Sequence, residues 1–540
     1  MTSPDSGRPK VFVRDATGLV REVSAKSSFV AQFMLVTGGY PIFILTYLGL
    51  FPGANFFLAF TLGFIPMFAL LAVYTLFAMS MPRAGGDYIY ISRGLDPTIG
   101  FIISFSLAAT YLVSDGVFTV LGAGYLGYQL SALGIVHNNS ALLALGSTMI
   151  TPWYSFSMAA VILAFSAIVA ILRPRLAWGL IFWTGIVSIV FSVVMFAALA
   201  TIGQSTFQAA FDNFISSNNS TLSSLGFTNA TNYQQTITAG GWSPQNLNVF
   251  NATLGAFPIA LYTFAFAQLP TNWAGEIKQA KKNMPAILLG GMVWLLVFFI
   301  LLVQLSVNAF GQGFLTSWSA LSTNPSYPLI YTLSDYIPFF SYLVYPNDAL
   351  MWIMFLALFI PVVFEMPPLM IAGVRYLFAW SFDRVLPAKL ASVNERTHTP
   401  IVATAVAFIV TMFGAVIQSF YPASSPSVLV PVILFGYMFP GLAAMAMPYL
   451  KRQLYENSFV LQKRIISVPA ITWLGIVSFV GLAVGLYGAM ASGLYPLLLP
   501  DYVFYVVVYG LAIIVWTVAY LVRKQSGVGL LLAFKEIPPE

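Results

Sequence analysis

The sequence has no cysteine, two histidines, and only 7% charged residues among its 540. Without cysteine there is no disulfide, iron–sulfur cluster or thiol nucleophile, and nothing about redox compartment can be read. His137 and His398 fall in expected loops on opposite membrane faces, so no metal-ligand cluster can form from them. The chain also lacks a Gly-rich loop ending in Gly-Lys-Ser or Gly-Lys-Thr, which excludes a pump driven by its own nucleotide hydrolysis. No enzymatic activity, metal or cofactor is therefore expected. The first residues are polar through Lys26 and lack the short apolar core and small-residue cleavage site of a signal peptide, so the first apolar helix is expected to remain in the mature protein.

What is present is apolar. Hydrophobic residues make up 59% of the chain, beyond the usual roughly 45–50% of soluble domains. The apolar runs are continuous rather than alternating, which fits helices and excludes a membrane barrel. The expected fold is an all-α membrane protein of about twelve transmembrane helices. Spans are placed at 28–51, 54–80, 99–133, 152–172, 179–203 and 252–275, then at 286–310, 348–381, 401–421, 426–450, 468–493 and 501–523.

The basic residues test this map, because cytoplasmic loops collect Lys and Arg. All 23 fall on one side of it. They lie in the N-terminal arm, after spans two, four, six, eight and ten, and in the tail. Both termini are thereby placed in the cytoplasm, with the chain in the plasma membrane. The net charge of +6 reads as orientation at an anionic leaflet, not as nucleic-acid binding. The long outer segment 204–250 is rich in Ser, Thr, Asn and Gln and is expected to be a surface loop. Sequons begin at Asn138, Asn218, Asn219, Asn229 and Asn251, all on the outer side, where N-glycosylation could occur; residues this common also produce sequons by chance.

Two spans carry interruptions. In span one, Thr37, Gly38 and Gly39 precede Pro41; in span six, Tyr262, Thr263, Phe264, Ala265, Phe266, Ala267 and Gln268 lead to Pro270. Glycine and proline weaken a helical turn and free backbone polar groups, tolerated at membrane depth only where they are buried or line a cavity. One reading is a pair of broken helices that bind a substrate; the other is close packing by small residues and aromatics. Polar Gln268 is expected to face inward. The two disturbances lie five spans apart, as expected if spans one to five and six to ten are inverted repeats. Asp115 and Glu365 each fall near the middle of a span, where a charge costs at least about 2.5 kcal/mol and usually marks a pathway. They are candidates for proton coupling, the alternative being a neutral structural acid.

Three segments at the cytoplasmic ends carry a specific signal. They are Met81-Pro82-Arg83-Ala84-Gly85-Gly86-Asp87-Tyr88-Ile89-Tyr90 running to Gly100-Phe101, Ala274-Gly275-Glu276-Ile277-Lys278 with Lys281, Lys282 and Pro285, and Arg375-Tyr376-Leu377-Phe378-Ala379 through Asp383, Leu386-Pro387, Leu390 and Thr399-Pro400. Together they resemble the amino acid, polyamine and organocation permease superfamily over roughly residues 28–450. The resemblance implies a five-plus-five inverted-repeat core of the LeuT-like kind, residues 28–250 and 251–450, with two additional helices in 451–523. The arm 1–27 and tail 524–540 would be cytoplasmic.

It implies alternating access of an amino acid or polyamine, with Thr37, Gly38 and Gly39 receiving the substrate carboxylate and carbonyls around Thr263 to Phe266 its amino group. Tyr262 matches a gating aromatic. Phe266 stands where the family usually has glycine, which implies a smaller pocket or a break displaced toward Ala267 and Pro270. Met366 to Val374 holds no Ser or Thr for a sodium site of the family's type, and residues 179–203 hold no Lys or Arg. Proton coupling or exchange is left as the expected energy source, and the proton is the expected coupling partner. The competing reading is a non-transporting amino-acid receptor of the same fold. Oligomeric state is not legible.

Overall fold

The structure is a computed structural model that describes residues 19, 21–38, 48–228, 230–243, 247–334, 336–422, 425–491, 499–526 and 529–534. Gly39, Pro41 and the sequon at Asn229 lie outside the described residues. Among the described residues, ten helices are long and apolar enough to cross a membrane. They coincide with spans two to five and seven to twelve. Span three is the longest, Pro97–Val136, and it packs against spans four, eight, nine and ten.

Spans one and six are the exceptions. The span-one helix, Ala25–Thr37, stops after 13 residues and the span-six helix, Val249–Thr263, after 15. These are the two that the sequence marks as interrupted. Ser24 opens the first by accepting the amide of Ser27, and Asn248 opens the second by accepting that of Asn251, each supplying one of the contacts that a helix start lacks. Beyond Thr263 the chain continues as a short 3₁₀ turn, Leu269–Asn272, not as the helix to residue 275 expected from hydropathy.

Span eight bends in its middle. Its halves, Asp348–Phe364 and Met366–Phe382, meet at Glu365, because Pro367 and Pro368 have no amide to donate to the preceding turn. Large apolar side chains such as Trp183 in span five, Ile409 in span nine and Val506 in span twelve point outward, as lipid-facing residues must.

The expectation of a loop over 204–250 is corrected. Helices Gln204–Ser217, Asn219–Ser224 and Tyr233–Ala239 occupy much of it, and Gln312–Leu321, Pro328–Leu333 and Ile337–Val344 form a second set on the same end. The two sets share an aromatic core in which Phe207 meets Phe314 at 5.2 Å and Tyr233 stacks on Phe314 at 4.8 Å. The abundant polar residues hid the period of Phe207, Phe211 and Ile215, which places one buried side chain per helical turn.

Candidate substrate-binding site

Gln32, on the span-one helix, reaches across to span six and donates from Nε2 to the carbonyl of Ala267 at 2.7 Å and to that of Leu288 at 3.3 Å. A buried carbonyl outside a regular helix needs a donor, and Gln32 supplies it at the interruption. Lower down, Trp273 Nε1 donates to Ser28 Oγ at 3.0 Å. The two interrupted segments therefore lie side by side.

The interruption in span six has a definite shape. Phe266 adopts φ of +69°, a left-handed conformation that bulky residues rarely take. Its amide donates to Tyr437 of span ten at 3.1 Å, and Tyr437 lies 3.2 Å from Tyr111 of span three, which accepts Gln268 Nε2 at 2.8 Å. The ring of Phe266 packs on Tyr111 and Phe118 at 5.4 and 6.2 Å. The helix ends at Thr263 and Phe266 holds the left-handed turn, so the interruption begins before Ala267 and Pro270.

The other candidates divide. Thr37 is buried and its hydroxyl donates back to the carbonyl of Phe33 at 2.8 Å; Thr263 does the same to Ile259 at 2.8 Å. Phe264 points away from span three into a cluster with Phe60, Phe64 and Phe299. Tyr262 lies against Phe266 at 6.4 Å. Ala265 donates its amide to the carbonyl of Tyr262 at 2.8 Å, a tight turn that ends the helix.

Glu365 lies against the end of span one. A methyl group placed on Gly38 would fall 2.0 Å from Glu365 Oε2, so the carboxyl occupies the space that a side chain at Gly38 would need. Asp115 lies one turn from Tyr111 and from Thr119, whose hydroxyl is 2.9 Å from Met366 Sδ beside Glu365. Asp115 is fully buried and Glu365 is 2% exposed. Both Asp115 oxygens and Glu365 Oε1 have no hydrogen-bond partner among the described residues.

The three motif segments meet in one knot at the basic end. Ala84 pairs with Trp273 in an isolated β-bridge, and Gly85 donates its amide to the carbonyl of Asn272 at 3.0 Å. Arg375 grips Glu276 through two bonds of 2.5 and 2.9 Å, and Arg93 pairs with Asp383 at 2.7 Å. Asp87, between spans two and three, accepts hydrogen bonds from the phenols of Tyr74 and Tyr376. Burial pushes its carboxyl up to about 6, and the two phenols oppose that rise. Val23 adds a backbone bridge to Ile277, which ties the start of span one to the same knot. Gln32, Tyr111 and Tyr437 were not singled out from the sequence. Gln32, as a lone amide in an apolar helix, was the available signal.

A helical membrane bundle with two short, interrupted spans side by side and buried, unpartnered carboxyls near them has the build of a transport protein. Residues 23–513 match the family model described as Amino acid permease, and the chain belongs to that family. The family is one of amino-acid transporters rather than enzymes. No curated protein matches the chain.

Proposed function

We propose that the chain is a secondary active transporter that moves amino acids or related amines across the plasma membrane by alternating access, with proton coupling or exchange as its energy source. In this reading residues 28–250 and 251–450 are inverted repeats of a LeuT-like core, and residues 451–523 add two helices. The arm 1–27 and the tail 524–540 are cytoplasmic, with the basic end of the bundle. The substrate sits between the interruptions, against Thr37, Gly38 and Gly39 on one side and the turn from Tyr262 through Thr263, Phe264 and Ala265 to Phe266 and Gln268 on the other. Phe264 contributes backbone only, since its ring is committed elsewhere.

The observation that carries the reading is Gln32, which ties the middle of the span-one helix to the interruption in span six. Helix termini there offer oriented amide and carbonyl groups to charged parts of a ligand. Glu365 is the first candidate for proton coupling and Asp115 the second. A protonated Glu365 donates a hydrogen bond and an ionised one only accepts, so protonation gives the span-one contact two different strengths. Only a differential interaction of this kind biases a conformational equilibrium. The knot of Arg375, Glu276, Arg93 and Asp383 closes the basic end and would part when that end opens.

Uptake into proteoliposomes tests the function. The expected result is accumulation of a labelled amino acid or amine above equilibrium under an inward proton gradient, lost in Glu365→Gln with exchange retained at saturating substrate. Binding without movement would instead identify the receptor reading.

A further inference from the structure

We propose that the region between spans one and six selects net-cationic amines, molecules with an ammonium group that no carboxylate of their own balances, and that Asp115 and Glu365 are its paired recognition groups. This rests on the reading of spans one and six as the substrate site.

The argument begins with where the acids point. Tyr111, Asp115 and Phe118 are spaced at i, i+4 and i+7 on span three and so share one face. Because Tyr111 and Phe118 both touch the Phe266 ring, Asp115 between them addresses the break in span six. Glu365 addresses the end of span one through Gly38. Spans three and eight run past each other in register, with Leu112 against Gly373, Thr119 against Met366 and Val362 against Gly122. On that register Asp115 and Glu365 stand roughly four to five residues apart along the bundle, ~6–7.5 Å. The two carboxyls thus lie close together, one beside each interruption.

Their lack of partners is the second observation. A structural acid inside a membrane is held by hydrogen bonds or a fixed base. Both oxygens of Asp115 and Oε1 of Glu365 have neither among the described residues. Arg375, on the same half of span eight as Glu365, is fully engaged with Glu276. Two buried acids with no fixed counter-charge are complementary to a mobile cation. The rings of Tyr111, Phe118, Tyr262 and Phe266 around them add faces that attract ammonium groups.

The same geometry disfavours a neutral amino acid. Its carboxylate would have to approach the end of span one, where the Glu365 carboxyl already lies, and like charges at that depth repel. A substrate with an additional ammonium group offsets that repulsion, and a diamine avoids it. A carboxyl that gives up a proton on taking an ammonium group keeps both roles assigned to it.

Lysine, its decarboxylated counterpart pentane-1,5-diamine, and leucine separate these cases in thermal-shift titrations of the purified full chain and in proteoliposome competition. Lysine and the diamine are expected to bind at least about tenfold more tightly than leucine. Asp115→Asn and Glu365→Gln should each weaken both cations by about tenfold or more and bring them toward leucine. The charge-preserving Asp115→Glu and Glu365→Asp should keep the cation preference, which separates loss of charge from loss of fold. A diamine that binds as well as lysine locates recognition in the ammonium groups alone. Leucine binding as tightly as both cations in the wild type, or cation binding unaffected in both neutral variants, overturns the inference. If leucine is preferred and Tyr262→Ala weakens it, the substrate site stands and only its selectivity is wrong. If Tyr262→Ala changes the binding of none of the three, the site itself is misplaced and the inference falls with it.

Discussion

Asp87 lies in the short helix Gly86–Gly94, outside the membrane spans, and is buried between two phenols. Burial disfavours its charged form and is the larger influence; the phenols favour that form, and the balance places its pKa at about 6. An acid whose folded-state pKa is raised holds its proton more tightly in the native state, so native stability falls as pH rises through the window from its unfolded value, near 4, to about 6. A rise of about two units corresponds to roughly 3 kcal/mol. Asp87→Asn should therefore stabilise the protein at about pH 8 and change little at about pH 3, below both values, where Asp87 is neutral in both states. Detergent melting curves at the two values check this; an equal shift at both would mean that Asp87 does not titrate in the native state. The sequence showed Asp87 as part of a motif but not as buried between phenols, since Tyr74 and Tyr376 come from different spans.

At the scale of the element, span six illustrates a conflict between local and tertiary preference. A left-handed residue favours glycine, and a bulky side chain there costs about 1–2 kcal/mol. Phe266 accepts the cost because its ring is buried against Tyr111, Phe118 and Tyr262. Removing a buried phenyl group costs about 3–5 kcal/mol, which exceeds the backbone gain. Phe266→Gly should therefore lower the melting temperature, although it installs the residue that the backbone prefers. A higher melting temperature in that variant would show that the ring contributes less than the strain. Span one is simpler: its helix ends at Gly38, whose amide still donates to Met34 at 2.9 Å, and the glycine leaves room for Glu365. Both interruptions were legible as Gly, Pro and polar residues within apolar runs. The side that Phe264 turns to was not, because neighbouring residues in a tight turn point in directions that the helical period does not predict.

For the whole molecule, the distribution of basic residues makes a definite statement about orientation. The absence of cysteine makes it directly testable, since a single introduced thiol is the only one present. Ser224, in the helical segment that follows span five, and Ser526, after span twelve, are both exposed. In intact cells Ser224→Cys should react with a membrane-impermeant maleimide and Ser526→Cys only after permeabilisation. The reverse pattern would invert the topology, and with it the assignment of the Arg375 and Glu276 knot to the cytoplasmic end.

The sequence by itself determined the class of fold, the approximate limits of the ten long spans among the described residues, and the places where two helices fail. These follow from local physics: lipid requires about twenty apolar residues per helix, and glycine and proline weaken the ladder wherever they occur. Asp115 and Glu365 were visible for the same reason, as charges where the solvent is hydrocarbon. Only the tertiary structure decided that Glu365 rests on Gly38, that Tyr111 and Phe118 on either side of Asp115 pack on Phe266, and that Gln32 ties span one to the interruption in span six. Those contacts connect residues hundreds of positions apart. They depend on which faces of spans one, three, six and eight meet, and near-uniform apolarity around each helix leaves that choice to packing and to the few polar groups that must find partners.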